Sequence, residues 1–353
     1  MSLSKAEQLF QAAIFGNLEA TKLLCSDPDL NVNWENEGRY TPFHVACEKG
    51  HVELVEYLLT LKQIAHNKPS HTGGTPFYMS CQNGHKKVVS VLLADPRIDP
   101  NCPRNGGTTP FFIACQKGQV EVVSLLLADP RIDPNEAKNT RTTPFYIACE
   151  SGHKEVVSLL LADPRIDPNR PRNDEATPLY HAAQDGFLEI VQSILASGRE
   201  MDTKRRVVSP DPLENGETAT EWVRVLGSIQ KPGYMSDEIH ERAKVIGPII
   251  ADHIDEYERD PVAARYRLRR LPALRNDFVV HLFALVVFHS DSFVVINERM
   301  ADSDTRRFLM ITSRLPLDLQ MVLCNRIFAS PRDIILSRDS EPRFRYLART
   351  AWQ

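Results

Sequence analysis

One interval, 34 residues, constrains this chain more than any other property of its sequence. Thr-Pro recurs at Thr41-Pro42, Thr75-Pro76, Thr109-Pro110, Thr143-Pro144 and Thr177-Pro178. Gly16, Gly50, Gly84, Gly118, Gly152 and Gly186 keep the same spacing, and so do Asn33, Asn67, Asn101, Asn135 and Asn169. Three residue types locked to one period define a repeat protein, in which each unit buries its apolar face against its neighbours.

Each unit reads as two short helices and a loop. Thr is a good N-cap, and Pro at the first helical position gives up a donor that would be orphaned anyway. The first helix, as in FHVACEK or FYIACES, runs toward the period glycine, which permits a left-handed turn. A second helix follows, as in EVVSLLL, and Asp-Pro stops it because proline cannot continue a helix. The stretch from Arg-Ile-Asp-Pro-Asn to the next Thr-Pro is turn-rich and predicts a projecting, hairpin-like loop.

The pattern TPFHVACEKGHVELVEYLL, followed by TPFYMSCQNGHKKVVSVLL and its three successors, resembles the ankyrin repeat. The resemblance covers residues 4–206 in six units, the first (SKAEQLFQAAIFGNLEATKLL) polar enough to serve as an N-terminal cap. It implies an all-α solenoid. Two departures stand out: the His of the family's Thr-Pro-Leu-His signature survives as His44 but becomes Tyr78, Phe112, Tyr146 and Tyr180, and Asp-Pro-Arg-Ile replaces the usual Gly-Ala. A ladder of aromatic rings is expected where the family has a histidine network.

Past residue 206 the period fades. Asn215 to Gly227 (NGETATEWVRVLG) resembles the first helix of a terminal repeat, with KVIGPIIADHIDEY as its partner helix. Residues 207–258 are therefore expected to be a long loop plus a degenerate seventh, capping repeat. Residues 259–353, punctuated by Pro272, Pro316, Pro331 and Pro342, are expected to form a small all-helical C-terminal module. Within it, Leu315, Pro316, Leu319 and Leu323 resemble the start of an F-box. That resemblance implies a second reading, a substrate receptor of a cullin-type ubiquitin ligase docking its adaptor through these residues. The alternative is that they belong to the module's core.

Composition narrows the function classes. The 353 residues are 42% apolar and 25% charged, normal for a chain that buries a core, and the net charge of −4 creates no global pull toward nucleic acid or membrane. The longest apolar run, residues 278–288, contains His281 and is too short for a membrane span. Seven cysteines without a secretory leader pattern point to a reducing setting, cytoplasmic or nuclear. A monomer is expected.

No constellation for catalysis emerges: there is no nucleotide loop, no Ser-His-Asp arrangement and no His-Glu-x-x-His. No cofactor or metal is expected. Cys47, Cys81, Cys115 and Cys149 share one helical position, flanked by Ala13 and Ala183 in the outer units. Stacked helices about 8–10 Å apart cannot bring four thiolates around one zinc ion, so these cysteines are expected in the core. His51, His85 and His153 are expected to brace turns, and Asp95, Asp129 and Asp163 to pair with Arg97, Arg131 and Arg165. Arg265, Arg267, Arg269 and Arg270 are expected to pair with the acidic run before them rather than with nucleic acid.

The surface remains. The resemblance implies that partners bind the concave face lined by loop tips and first helices. A protein partner is expected there, at Trp34, Arg39, Tyr40 and Lys49, then His71, Gln82, Asn105, Lys117, Asn139, Arg141, Asn173 and Asp174. Trp34 has a second reading, packing against the first cap. Function is thus expected to be a non-enzymatic interaction scaffold or adaptor.

Overall fold

The computed structural model describes residues 3–209, 214–226, 228–229, 231–269, 271 and 274. All regular elements among them are α-helices; the single β-bridge joins Arg104 to Thr108. The described residues fall into two compact units, the first comprising 1–156 with 170–173, the second 157–169 with the residues from 174 onward.

The first unit is built of helix pairs: α1 (Lys5–Ile14) with α2 (Leu18–Cys25), α3 (Pro42–Lys49) with α4 (Val52–Thr60), α5 (Pro76–Gln82) with α6 (Lys86–Ala94), and α7 (Pro110–Gln116) with α8 (Val120–Ala128). Then comes α9 (Pro144–Glu150), and the unit boundary falls inside α10 (Lys154–Leu161). First helices stack on first helices, from α1 through α3, α5 and α7 to α9, and second helices on second helices from α2 to α8.

The local chemistry follows the sequence pattern. Thr41, Thr75, Thr109 and Thr143 each accept a bond at the side chain from the backbone N–H three residues on, with proline inside the first turn. Ser4 and Glu7 make a reciprocal capping box on α1. Phe43, Phe77, Phe111 and Phe145 are buried, and Cys47, Cys81, Cys115 and Cys149 line the same core with no exposed surface.

Bonds at a fixed offset join neighbouring pairs. The imidazoles of His51, His85 and His153 reach the carbonyls of Ile14 (3.0 Å), Glu48 (2.6 Å) and Gln116 (2.8 Å), and Gln119 donates to Gln82 O in the fourth instance. These carbonyls lie at the ends of first helices, where no intrahelical donor remains. Gly50 shows why the period glycine is needed: its φ is +77°, and a Cβ there would stand 2.5 Å from His85 Nδ1. The asparagines clamp loop to loop; Asn67 donates to Arg97 O (2.7 Å) and accepts from Asp99 N (2.9 Å). Arg97 and Arg131 hold Asp95 and Asp129, and each also donates to the preceding second helix, at Leu59 O (2.8 Å) and Leu93 O (2.9 Å).

The second unit contains α11 (Pro178–Gln184), α12 (Leu188–Ala196), α13 (Ala219–Leu226), α14 (Asp237–Arg259) and α15 (Pro261–Arg269). Helix α13 packs on α11 and α14, and α15 on α12 and α14. Trp222 of α13 is fully buried, and Gly247 of α14 lets that helix approach the Val223 carbonyl, which a Cβ would meet at 2.9 Å. The expected pairing of the arginine cluster with acids holds at Arg267 and Glu256 (3.1 Å) but not throughout. Arg265 instead donates to Arg199 O (2.7 Å) and Tyr257 Oη, and Arg269 to Ala196 O (2.9 Å), so these two serve the end of α12. Unpaired C-terminal carbonyls compete successfully with exposed carboxylates, because the bond they offer is partly buried and hence stronger. Arg270 and residues 275–353, with Leu315, Pro316, Leu319 and Leu323, lie outside the described residues.

Candidate interaction surface

Within the first unit, the loop tips form a continuous backbone chain. His71 N donates to Gly38 O (2.9 Å), Asn105 N to Thr72 O (3.2 Å) and Asn139 N to Gly106 O (3.4 Å). Three expected contact residues therefore also carry framework bonds through their main chain, while their side chains are exposed. Arg39, Lys49, Lys117, Arg141 and Asn173 are exposed as well; Tyr40 and Gln82 are half-buried. In the second unit, Asp174 accepts at its carbonyl from Val208 N and at its carboxylate from Ala176 N.

Trp34 packs edge-on against Phe10 of α1, ring centroids 5.6 Å apart, and is half-buried. The packing reading of this residue is the one the geometry favours.

One tip position repeats an unusual backbone. Arg39, Gly73, Gly107, Arg141 and Glu175 all have positive φ, between 61° and 85°. Glycine adopts this region freely, whereas arginine does so at a cost. Arg39 ion-pairs with Glu35 at 3.2 Å, whereas Arg141 forms no ion pair among the described residues, its backbone N–H donating to Lys138 O at 2.8 Å.

The residues that replace the signature histidine are buried rings, and in the first unit a basic side chain from the following loop lies near each of them. The Arg104 charge acts on the Tyr78 hydroxyl, opposing the rise in pKa that burial causes, while Lys138 Nζ lies 5.5 Å from the Phe112 centroid and the Arg172 guanidinium 5.6 Å from that of Tyr146. Where a ring ladder was expected, two of the rings, Phe112 and Tyr146, are capped by cations. Sequence reasoning missed these cations, although Arg104, Lys138 and Arg172 stand at the same 34-residue interval. Next to Arg104, the tips enclose a shallow, open cleft of about 380 Å³ lined also by His71, Thr72, Asn105 and Thr108.

His44 keeps a histidine's bonds at this position: Nδ1 faces Thr41 Oγ1 at 2.9 Å and Nε2 faces Gly74 O at 3.3 Å. Burial pushes its pKa down to about 4 despite that carbonyl. Burial also raises the Cys47, Cys115 and Cys149 thiols well above their ordinary value, so they stay protonated and packed. Among the described residues no group of His, Cys, Asp or Glu could hold a metal ion, and no helix is long and apolar enough to cross a membrane.

In the second unit the sign of the group facing the ring reverses. Tyr180 Oη and Gln184 Nε2 both donate to Glu214 (3.1 Å each), and Ser209 Oγ donates to its other oxygen (2.8 Å). Burial first, then the Glu214 charge, raises the Tyr180 pKa far above its ordinary value.

Comparisons with known proteins agree with this architecture. No curated protein matches the sequence. Among solved structures, the human ASB11 ankyrin repeat domain is similar, with a TM-score of 0.53 and 24% identity over 67% of this chain and 96% of that one. The family model described as ankyrin repeats (3 copies) matches at residues 9–104, 60–138, 97–172 and 131–206, so the chain belongs to the ankyrin-repeat family.

Proposed function

We infer that this chain is a non-enzymatic interaction protein whose first helices and loop tips hold a protein partner. Ankyrin repeats are interaction modules, and the chemistry of this molecule supports the same use. The observation that carries the reading is the tip position of positive φ: Arg39 and Arg141 stand where Gly73 and Gly107 stand in sister units. A residue held in a costly backbone region, with its side chain exposed, is better explained by contact than by folding. Arginine is also among the residue types that dominate binding energy at interfaces. Arg39, Tyr40, Lys49, His71, Asn105, Lys117, Asn139 and Arg141 are the proposed contacts of the first unit, with Gln82 beside them.

The test is site-specific photo-crosslinking in the source cell. A photoreactive residue replacing His71 or Arg141 should capture a defined partner, and one replacing Lys87 of α6 should not. Capture from Lys87 alone would refute the assignment of the face. The ligase-receptor reading rests on the sequence of Leu315, Pro316, Leu319 and Leu323, and recovery of a cullin adaptor lost on Leu319→Asp would support it.

A further inference from the structure

Three equivalent cations on the first-helix face differ in one respect. Arg172, on the Tyr146 ring, also forms an ion pair with Glu150 at 3.3 Å, with both side chains about 30% exposed. Glu150 ends α9; the residues one and two periods earlier are Gln116, ending α7, and Gln82, ending α5. Arg104, close to the Tyr78 hydroxyl, and Lys138, over Phe112, therefore stand at the same register of the repeat without the carboxylate, and among the described residues neither forms an ion pair. Lys117 and Arg141, exposed on the same repeats, add two more cations with no ion pair among the described residues. The open cleft beside Arg104 leaves room for an incoming group.

Resting on the interaction reading above, we propose that the face across α5 and α7 receives an acidic peptide segment, whose carboxylates bind Arg104 and Lys138 as Glu150 binds Arg172. Arg104 offers a planar fork for a carboxylate, and Lys138 a point charge. Successive stacked helices lie about 8–10 Å apart. A polyproline-type peptide climbs about 3.1 Å per residue with three residues per turn, so acidic residues three apart share one face at a matching spacing. Nucleic acid fits less well. Tyr78, Phe112 and Tyr146 are at most 1% exposed, so no ring face is open for a base to stack on.

The experiment uses the full chain and fluorescein-labelled peptides of repeated Glu-Pro-Ala and Gln-Pro-Ala, read by anisotropy. The Glu peptide should bind more tightly than the Gln peptide and weaken as salt rises. Supplying the carboxylate from within, as Gln82→Glu with Gln116→Glu, should weaken it about tenfold or more, in line with the worth of a charge-assisted bond. Glutamate already stands at positions 48 and 150 of this array, so the double variant keeps the fold. Lys86→Gln with Lys87→Gln should change nothing. Equal binding of the two peptides, or no effect of the added glutamates, overturns the acidic-partner inference. The face itself stands in that case if His71 and Arg141 still crosslink a partner, and falls if they do not. Tighter binding of single-stranded oligouridylate, competing with the Glu peptide, overturns the inference in favour of nucleic acid.

Discussion

The two units solve the same problems with different residues. Both must satisfy the carbonyls that a first helix leaves unpaired at its end. In the first unit His51, His85 and His153 do this from the start of the next second helix; in the second, Arg242 of α14 donates to Asp185 O at 2.7 Å. The ends of second helices are held by Arg97 and Arg131 in one unit. In the other, Arg199 donates to the carbonyls of Leu161, Asp163 and Ile166, and Arg269 to that of Ala196. What the fold requires is a donor at a place, and either imidazole or guanidinium supplies it. The rings of the first helices follow the opposite rule. Position is retained while charge reverses, from Arg104 and Lys138 to Glu214. Framework bonds fix geometry and tolerate changes of donor, whereas the charge facing the rings varies from unit to unit.

The largest test asks whether the units are separable at all. Phe111→Ala and Trp222→Ala each empty a fully packed site and should cost about 3–5 kcal/mol. Native-state hydrogen exchange should show protection lost first around α5, α7 and α9 in the former, and around α13 and α14 in the latter. Equal loss everywhere in both variants would mean one cooperative body, and the comparison would collapse.

A second test concerns His44 against its aromatic counterparts. The folded state holds the imidazole neutral down to about pH 4, while the unfolded chain protonates it near 6.5. Stability contributed by the neutral ring is therefore full above pH 6.5 and falls as pH drops toward 4, by about 3 kcal/mol in all. Denaturant titrations at pH 7 and pH 4 should show this loss in the native protein. It should be absent from His44→Phe, which adopts the side chain of Phe112.

The smallest effect compares two glycines of the same register. Gly50→Ala meets both the left-handed backbone and the His85 ring, and should cost about 2–3 kcal/mol by displacing that brace. At Gly186 the φ is +70° but the nearest atom is Arg242 Cγ at 3.2 Å, on a flexible side chain. Gly186→Ala should then cost about 1 kcal/mol. Equal melting shifts would show that backbone strain alone sets both.

Helix starts, period, cysteine core and histidine braces were all legible in the sequence. Each depends on residue type at a fixed offset, which thirty-four-residue repetition displays several times over. The exposed residues of the proposed face were legible as a set for the same reason, since they vary where the frame does not. Less was legible wherever a side chain chooses among partners. Trp34 turns to Phe10, and Arg265 and Arg269 bypass the adjacent acids for carbonyls of α12. That Arg172 has a carboxylate and Arg104 and Lys138 have none follows from Gln82 and Gln116, yet the niche they share is invisible until the loops fold back on the rings. The sequence by itself determined the repeat, its helices and its framework bonds, because these are local and periodic. Only the tertiary structure decided which charges are spent within the molecule and which stay on offer, because ion pairing depends on distances across the stack that no interval along the chain encodes.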